Sequence, residues 1–325
     1  IELYLQNYIA LENFNLNPLT KYVSPETIAV LPITAFADPN DRRGRHDSSV
    51  PERNIEIEYT SVGDSLSSTG DGSVKTSGVL IEAEYEQNNW GFTFGFERWN
   101  YQWTKPEALP FINGIGTDPW SSFTTLQLGL EYEQEINDRW ELVYYVEAES
   151  SYEKQTAGSN EYEVGLDIGY EPSDSWSFVL NTNYEYLDAD GGEFGVDLEV
   201  TWNDHSKEGW SGELEISSEF PESRLTYHFS NAFSTTLFYN DGGTNTIRLA
   251  DDSPVTGMQG GYLEDEYQRV GARFAYEWGH EGYLSLSIHK NFNRQMAFLD
   301  STGTIESNFN FEDAVGMSLI LSIEL

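Results

Sequence analysis

The chain has 325 residues, of which 14% are aromatic and none is cysteine, and its formal net charge is −38 at pH 7. Without cysteine it has neither disulfide bonds nor a thiolate metal site. We do not expect so acidic a chain to bind nucleic acid, because phosphate contacts need basic groups. Two sources of the charge stay open: a solvated acidic surface suited to high salt, and carboxylates that line an interior.

Residues 1–50 lack a regular alternation of apolar and polar residues. Four prolines interrupt the segment, and it ends near the basic run Arg42-Arg43-Gly44-Arg45-His46. Its start, Ile1-Glu2-Leu3, has neither the basic residues nor the apolar stretch of a signal peptide, so we expect a mature sequence. We therefore predict two parts, an N-terminal segment at 1–50 and a second domain at 51–325.

From residue 54 onward the sequence alternates as β-strands with one apolar face do. The clearest strand places Tyr162, Val164, Leu166, Ile168 and Tyr170 on one face, opposite Glu161, Glu163, Asp167 and glycines. Most candidate strands run 10–14 residues, which is longer than the strands of soluble sheets. Similar strands are predicted near residues 79–86, 90–97, 126–133, 140–149, 176–186, 194–202, 210–216, 270–278, 284–292 and 315–325.

Short polar turns separate these strands at intervals of 32 to 49 residues, and aromatic residues commonly stand at the strand ends. An interval of about 37 residues suits one long antiparallel hairpin with its connections, a pattern typical of membrane β-barrels. The other connections include long ones at residues 103–121, 251–264 and 294–310. The predicted turns centre on Asn88, Asn137, Asp174, Ser206, Gly242 and His280.

The number of strands depends on residues 224–250, where the alternation is least regular. One strand there is interrupted at Asn231, and Ile247 and Leu249 make a short second strand. The barrel has fourteen strands if this hairpin belongs to the wall and twelve if it projects from a loop. The turn spacing favours fourteen, because Gly242 falls where a turn is due.

A membrane explains this pattern better than water does. The sequence has no run of 18 apolar residues for a spanning helix, and in hydrocarbon only a helix or a closed sheet satisfies the backbone. A carboxylate facing lipid is costly, so the apolar faces are predicted to meet lipid and the acidic faces to line the lumen. The lumen-lining residues predicted are Glu82, Glu84, Glu131, Glu133, Glu147, Glu163, Asp167, Asp197, Glu199, Glu213, Glu215, Arg248 and Arg273. A soluble β-sandwich or solenoid with solvated glutamates is the alternative.

Residues 54–325 resemble the Gram-negative outer-membrane β-barrels as a class. The end of the chain, from Gly316 to Leu325, is similar to the C-terminal signal read by the barrel-assembly machinery, although that signal usually ends on an aromatic residue. The resemblance implies an outer-membrane location, with lipid as the surrounding partner.

Function is predicted from the sign of the lumen charge. Carboxylate rings concentrate cations, so we expect a channel for small polar solutes that favours cations. The alternative is a non-conducting structural or interaction barrel, plugged by residues 1–50 and held in an envelope assembly with another protein. The N-terminal segment is otherwise expected in the periplasm or at a barrel edge.

Catalysis is not expected. Of the five histidines, His228 and His289 have lumen parity, and no serine motif accompanies either one, so a barrel hydrolase is the weakest hypothesis. The other three are His46, His205 and His280. Asp188, Asp190 and Glu193 offer oxygens but lack the spacing of a calcium loop. No enzyme, metal or cofactor is therefore predicted.

Overall fold

The computed structural model describes residues 51–109, 111, 118–188, 191–203, 208–217, 221–242, 246–254, 258–279 and 282–325. The N-terminal segment lies outside the described residues, as do the predicted turns at Ser206 and His280. Within the described ranges, no helix has the length and the apolar character needed to cross a membrane.

The described residues form sixteen strands and one short 3-10 helix at Pro106–Ala108. The strands are β1 Glu52–Leu66, β2 Ser73–Gln87, β3 Trp90–Thr104, β4 Ser122–Asn137, β5 Trp140–Tyr152, β6 Asn160–Ser173, β7 Trp176–Leu187, β8 Gly191–Trp202, β9 Gly209–Ile216, β10 Glu222–Ser230, β11 Phe233–Asp241, β12 Ile247–Arg248, β13 Tyr262–Glu277, β14 Gly282–Leu299, β15 Ile305–Asn310 and β16 Ala314–Glu324.

Fourteen of these strands close into an antiparallel barrel. Each strand from β1 to β11 pairs with the next, and β13, β14 and β16 complete the ring. The ring closes between β1 and β16, from Asn54 opposite Glu324 to Val62 opposite Gly316. The prediction of fourteen strands is confirmed, and each wall strand is paired on both sides, as a span through lipid requires.

The predicted hairpin at residues 224–250 is wrong in its details. The wall hairpin there is β10 and β11, and its turn lies at Asn231 and Ala232. Gly242 lies at the other end of the barrel, and Ile247 belongs to β12, which is not a wall strand. The interruption at Asn231 was therefore the turn itself, and the regular spacing through Gly242 was a coincidence.

The two ends of the barrel differ. We call the turn end the one that carries residues 51 and 325 and short turns such as Asn88–Asn89 and Asn231–Ala232. We call the loop end the opposite one, where residues 67–72, 105–121, 242–261 and 300–313 connect the strands. Short turns are periplasmic in outer-membrane barrels, which places the loop end at the cell exterior.

The outward faces carry the apolar side chains. Leu128 is 60% exposed and Phe274 is 53% exposed, as expected for side chains whose surroundings are lipid. Aromatic pairs flank the turn end, with ring centroids 4.9 Å apart for Trp90 and Tyr132. Further pairs there are Trp140 with Tyr170, Trp210 with Tyr227 and Phe233 with Tyr276. Such rings form the aromatic girdle at a membrane interface.

Near the loop end the outward side chains become polar and the inward ones become apolar. On β3 the outward residues above Phe96 are Arg98, Asn100 and Gln102, whereas Tyr101 is buried inside. Carboxylates give way to apolar side chains on the inner face there, because the outer face has left the lipid and meets water. The barrel therefore extends beyond the membrane as a water-exposed collar with an apolar interior.

Candidate functional site

The lumen of the turn-end half is a cavity of about 690 Å³ lined by carboxylates. Fourteen acidic side chains line it, and Arg139 is the one lysine or arginine among the described lining residues. The cavity reaches the turn end, because Asn137 and Asp138 are part of its lining. Nine of the predicted lumen residues are in it: Glu84, Glu131, Glu133, Glu147, Glu163, Asp167, Asp197, Glu199 and Glu215.

Neutral amides and hydroxyls hold some of these carboxylates in place. The Tyr145 hydroxyl donates to Glu163 at 2.8 Å, and the Asn183 amide donates to the same oxygen at 2.6 Å. Asn181 donates to Asp167 at 2.6 Å and to the Tyr145 hydroxyl at 2.8 Å. These donors are neutral, so they fix the orientation of the carboxylates without adding positive charge to the wall.

A glycine makes room for this network. The Tyr145 ring lies over Gly165 on the neighbouring strand, and a Cβ there would come within 2.2 Å of the ring. The alternation of glutamate and glycine on β6 therefore has a packing reason. Glycine admits the tyrosine that binds Glu163.

The other four predicted lumen residues lie elsewhere. Glu82 is 8% exposed on the inner face of β2, and Glu213 forms an ion pair with Arg224 at 3.4 Å. Arg273 is on the inner face of β13, 5.8 Å from the Phe238 ring centroid. Arg248 lies on β12, outside the wall, where its guanidinium donates to the Leu249 carbonyl at 2.6 Å and to Asp251 at 3.0 Å.

Strand β12 crosses the mouth at the loop end. Arg248 pairs with Tyr262 of β13 on one side and with Tyr152 of β5 on the other. β5 and β13 are seven strands apart in either direction around the fourteen-stranded ring. Since paired strands lie about 4.8 Å apart, opposite walls approach to roughly 10 Å at this point. The connection between β11 and β13 thus bridges the barrel.

An apolar cluster fills the interior beside this bridge. Leu249 of the connection is fully buried, as are Leu263 of β13 and Phe298 of β14. These side chains belong to one cluster with Val74, Tyr101, Leu109, Phe111, Trp120, Phe123, Ile247, Met258, Met296 and Phe311. We call this cluster the apolar plug. Because it joins residues from opposite walls, the chain's own loops close the loop end.

A buried ion pair lies next to the apolar plug. Arg294 donates to both oxygens of Asp265, at 2.8 and 2.5 Å, and the Tyr101 hydroxyl is 3.5 Å from the same carboxylate. The side chains of Arg294 and Asp265 are 4% and 9% exposed. A two-point guanidinium–carboxylate pair is the geometry in which a buried charge is best compensated.

The histidines form no recognisable catalytic set in the described part of the chain. Ser211 Oγ is 3.2 Å from His228 Nε2, but no described carboxylate hydrogen-bonds to that imidazole to orient it, as a triad needs. His289 has no hydrogen-bonded serine among the described residues. The described residues also hold no group of three or more His, Asp or Glu side chains placed for a metal ion.

Several residues of the site were not predicted. Tyr145, Asn181 and Asn183 occupy the same alternate positions of their strands as the acidic residues. That alternation could have identified them as lumen residues. The apolar plug was missed because Trp103 and Phe111, which contact each other, stand in what reads as a loop. The contact of Phe111 with Phe298 depends on ring closure.

No protein-family model matches the sequence, and no curated protein matches it. Solved structures of outer-membrane barrels are similar at low identity. The KdgM porin in complex with disordered oligogalacturonate is 11% identical over 81% of this chain and 97% of its own, with a TM-score of 0.33. The Pseudomonas putida toluene transporter TodX is 9% identical over 84% and 89%, with a TM-score of 0.42. A Pseudomonas aeruginosa FadL homologue is 10% identical over 84% and 90%, with a TM-score of 0.43.

The assignment to a class rests on the barrel itself. Its fourteen strands close without an edge, its outward faces are apolar, and aromatic pairs flank its turn end. These features together define the transmembrane β-barrels of Gram-negative envelopes. The chain is a fourteen-stranded transmembrane β-barrel of the bacterial outer-membrane type.

Proposed function

We propose that this barrel is a gated outer-membrane channel for small polar solutes that favours cations. The observation that carries the proposal is the cavity at the turn end, with fourteen carboxylates and one arginine in its described lining. Carboxylate rings raise the local concentration of cations and repel anions. Small cations and small polar solutes are therefore the proposed cargo.

The gate is the described part of the connection between β11 and β13, residues 246–254 and 258–261. It carries β12 and contributes Leu249 and Met258 to the apolar plug. Passage requires this connection to leave the mouth, because opposite walls are joined through it. The stop is thus part of the barrel chain itself. We assign no catalytic role to the barrel.

Reversal potentials in planar bilayers test the cation preference. In a salt gradient the purified barrel should pass cations in preference to anions. Replacing Glu131, Glu133 and Glu163 by glutamine should lower the cation-to-anion permeability ratio. The control replaces Glu107, Asp118 and Glu306 by their amides. These residues are exposed at the loop end, so the control changes the net charge equally. Equal effects of the two triple variants, or anion preference of the parent, would reject the proposal.

A second function, a non-conducting structural barrel, is favoured by the apolar plug. Its members come from β2, β3, β4, β13 and β14 as well as from the loops, so the closure is well packed. Replacing residues 246–258 by a short Gly-Ser linker distinguishes the two functions. A gated channel should then show larger and more frequent current steps, whereas a structural barrel should remain silent.

A further inference from the structure

Three nitrogen-bearing side chains stand together on the inner face of β13 and β14. Arg269 and Arg273 flank Gly271, and Gly271 is directly opposite His289 in the antiparallel register. Residues two apart on a strand lie about 6.5–7 Å apart on one face, so His289 stands in the register between the two arginines, and its ring leans over Gly316 of β16. Its electrostatic neighbours are these same two arginines. We call this group the basic strip.

The basic strip has unused hydrogen-bonding capacity. Arg269 is 8% exposed and His289 is 3% exposed. The Nε atoms of both arginines and both ring nitrogens of His289 are buried, and none has a hydrogen-bond partner among the described residues. A buried donor without a partner is costly, and in a neutral imidazole one ring nitrogen donates while the other accepts. An incoming oxyanion would accept hydrogen bonds from the arginine Nε–H groups and from an imidazole N–H.

The surrounding residues hold the strip in position. Arg269 donates to the Tyr267 hydroxyl at 3.4 Å and lies 5.6 Å from that ring, while Arg273 lies 5.8 Å from the Phe238 ring centroid. Gly316 lets the His289 ring lie against the wall, because a Cβ there would be 2.3 Å from Nε2. Aromatic faces stabilise a guanidinium without consuming its donors, and the Nε–H groups of both arginines remain available.

The strip faces the acidic wall. In the ring, β13 and β14 are opposite β5 and β6, which carry Glu147, Glu163 and Asp167 of the acidic cavity. Arg273 interacts electrostatically with the carboxylate of Glu56, which also accepts a hydrogen bond from Tyr283. The two sides of the lumen therefore carry opposite charge.

We propose that Arg269, Arg273 and His289 form a binding site for the carboxylate group of a small solute. The planar fork of a guanidinium matches the two oxygens of a carboxylate, and two such forks around an imidazole select this group over a spherical anion. The site does not depend on the cation preference proposed above, since that preference arises from the opposite wall. A solute with both a carboxylate and an ammonium group would contact both walls at once.

Binding is measured on the folded full-length chain in detergent, with ¹⁵N-histidine labelling and acetate as the probe. The His289 resonances, assigned by their loss in His289→Gln, should shift saturably with acetate. Arg269→Gln and Arg273→Gln should each weaken binding about tenfold or more. Lys290→Gln is the matched control: it removes one positive charge on the next residue, which is half-exposed and paired with Asp313. It should leave the affinity unchanged.

One further variant and one competing anion complete the binding test. Arg269→Lys retains the charge without the fork and should bind acetate at an intermediate affinity. Chloride at equal concentration should compete weakly, because a single spherical ion lacks the two oxygens that match the parallel N–H bonds of one fork. If acetate causes no saturable shift in the folded protein, or if chloride competes equally, the carboxylate site is refuted. Because no current is recorded, a silent barrel would still give a clear result.

Discussion

The carboxylate of Glu153 accepts a hydrogen bond of 2.9 Å from the backbone N–H of Ala250. Glu153 directly follows β5, whereas Ala250 belongs to the connection that leads into β13 on the opposite side of the barrel. The Glu153 N–H in turn donates to the Arg248 carbonyl at 2.9 Å. These two bonds fasten the gate connection to the far wall and define where it can be released.

Removing the side-chain bond should open the gate more often. Glu153→Ala deletes the acceptor and leaves the Ala250 N–H without it, a loss worth about 1–3 kcal/mol. We expect more frequent openings in single-channel records. Lys154→Ala is the control, because its ion pair with Asp252 is exposed on both sides and such pairs contribute little. Openings that are unchanged in Glu153→Ala would show that this bond does not hold the gate.

Covalent fastening should have the opposite effect. Tyr152 and Arg248 are direct partners in the short parallel pairing, at a separation that suits a disulfide. The chain has no cysteine of its own, so Tyr152→Cys with Arg248→Cys introduces a single possible pair. Oxidation should abolish current and a reductant should restore it. Each single cysteine variant serves as the control and should not respond to the reductant.

The gate should also respond to pH through Glu153. Burial raises the pKa of its carboxyl above the ordinary 4.5, and the Ala250 N–H offsets part of this rise. The fastened state therefore binds a proton more tightly than the released state. Its extra stability is fully present below pH 4.5 and is lost as pH rises through the raised pKa. Current should thus fall as pH drops into this range.

Lumen carboxylates also affect current near this pH, so the comparison with Glu153→Gln is the measurement. That variant should lose the part of the pH dependence that belongs to opening frequency, whereas the single-channel conductance should keep its own dependence. Identical opening frequencies at every pH in the two proteins would contradict the assignment.

The buried pair of Asp265 and Arg294 predicts a large stability effect. Asp265→Asn leaves the guanidinium without its counter-ion at 4% side-chain exposure and should destabilise the barrel by about 3–5 kcal/mol. The double variant Asp265→Asn/Arg294→Gln should lose less, since no isolated charge remains. Urea unfolding in detergent micelles measures both. If the double variant is no more stable than Asp265→Asn, the two residues do not interact as the geometry indicates.

The outward face predicts a dependence on depth in the membrane. Leu128 lies in the middle of the apolar stretch of β4 and is 60% exposed. Its replacement by arginine should lower the folding stability by about 2–4 kcal/mol. Ile136 lies on the same face near the turn end and is 52% exposed. Its replacement by arginine should lower the stability by only about 0–1 kcal/mol. Folding into lipid vesicles at increasing urea measures the difference, and equal costs would mean that Leu128 does not meet hydrocarbon.

Much of the wall follows from local sequence. The alternation on β6 around Leu166 and Glu163 fixes which side chains face out, because residues two apart on a strand share a face. The short turns at Asn88 and Asp174 are marked by polar residues between aromatic strand ends. Where the pattern was irregular, as at Asn231, the true turn was read as a break in a strand, since no glycine signalled it.

The sequence by itself determined a closed, lipid-facing antiparallel sheet with an acidic inner face, because periodicity and the cost of charge in lipid act on each strand separately. It favoured fourteen strands over twelve only through a turn at Gly242, whereas the wall turn lies at Asn231 and Ala232. Only the tertiary structure decided which side chains meet across the lumen. Arg248 pairs with Tyr152 and Tyr262, Arg294 binds Asp265, and His289 shares an inner face with Arg269 and Arg273. These contacts join strands that are distant in sequence or depend on the register. Ring closure sets those distances, and no local pattern encodes it.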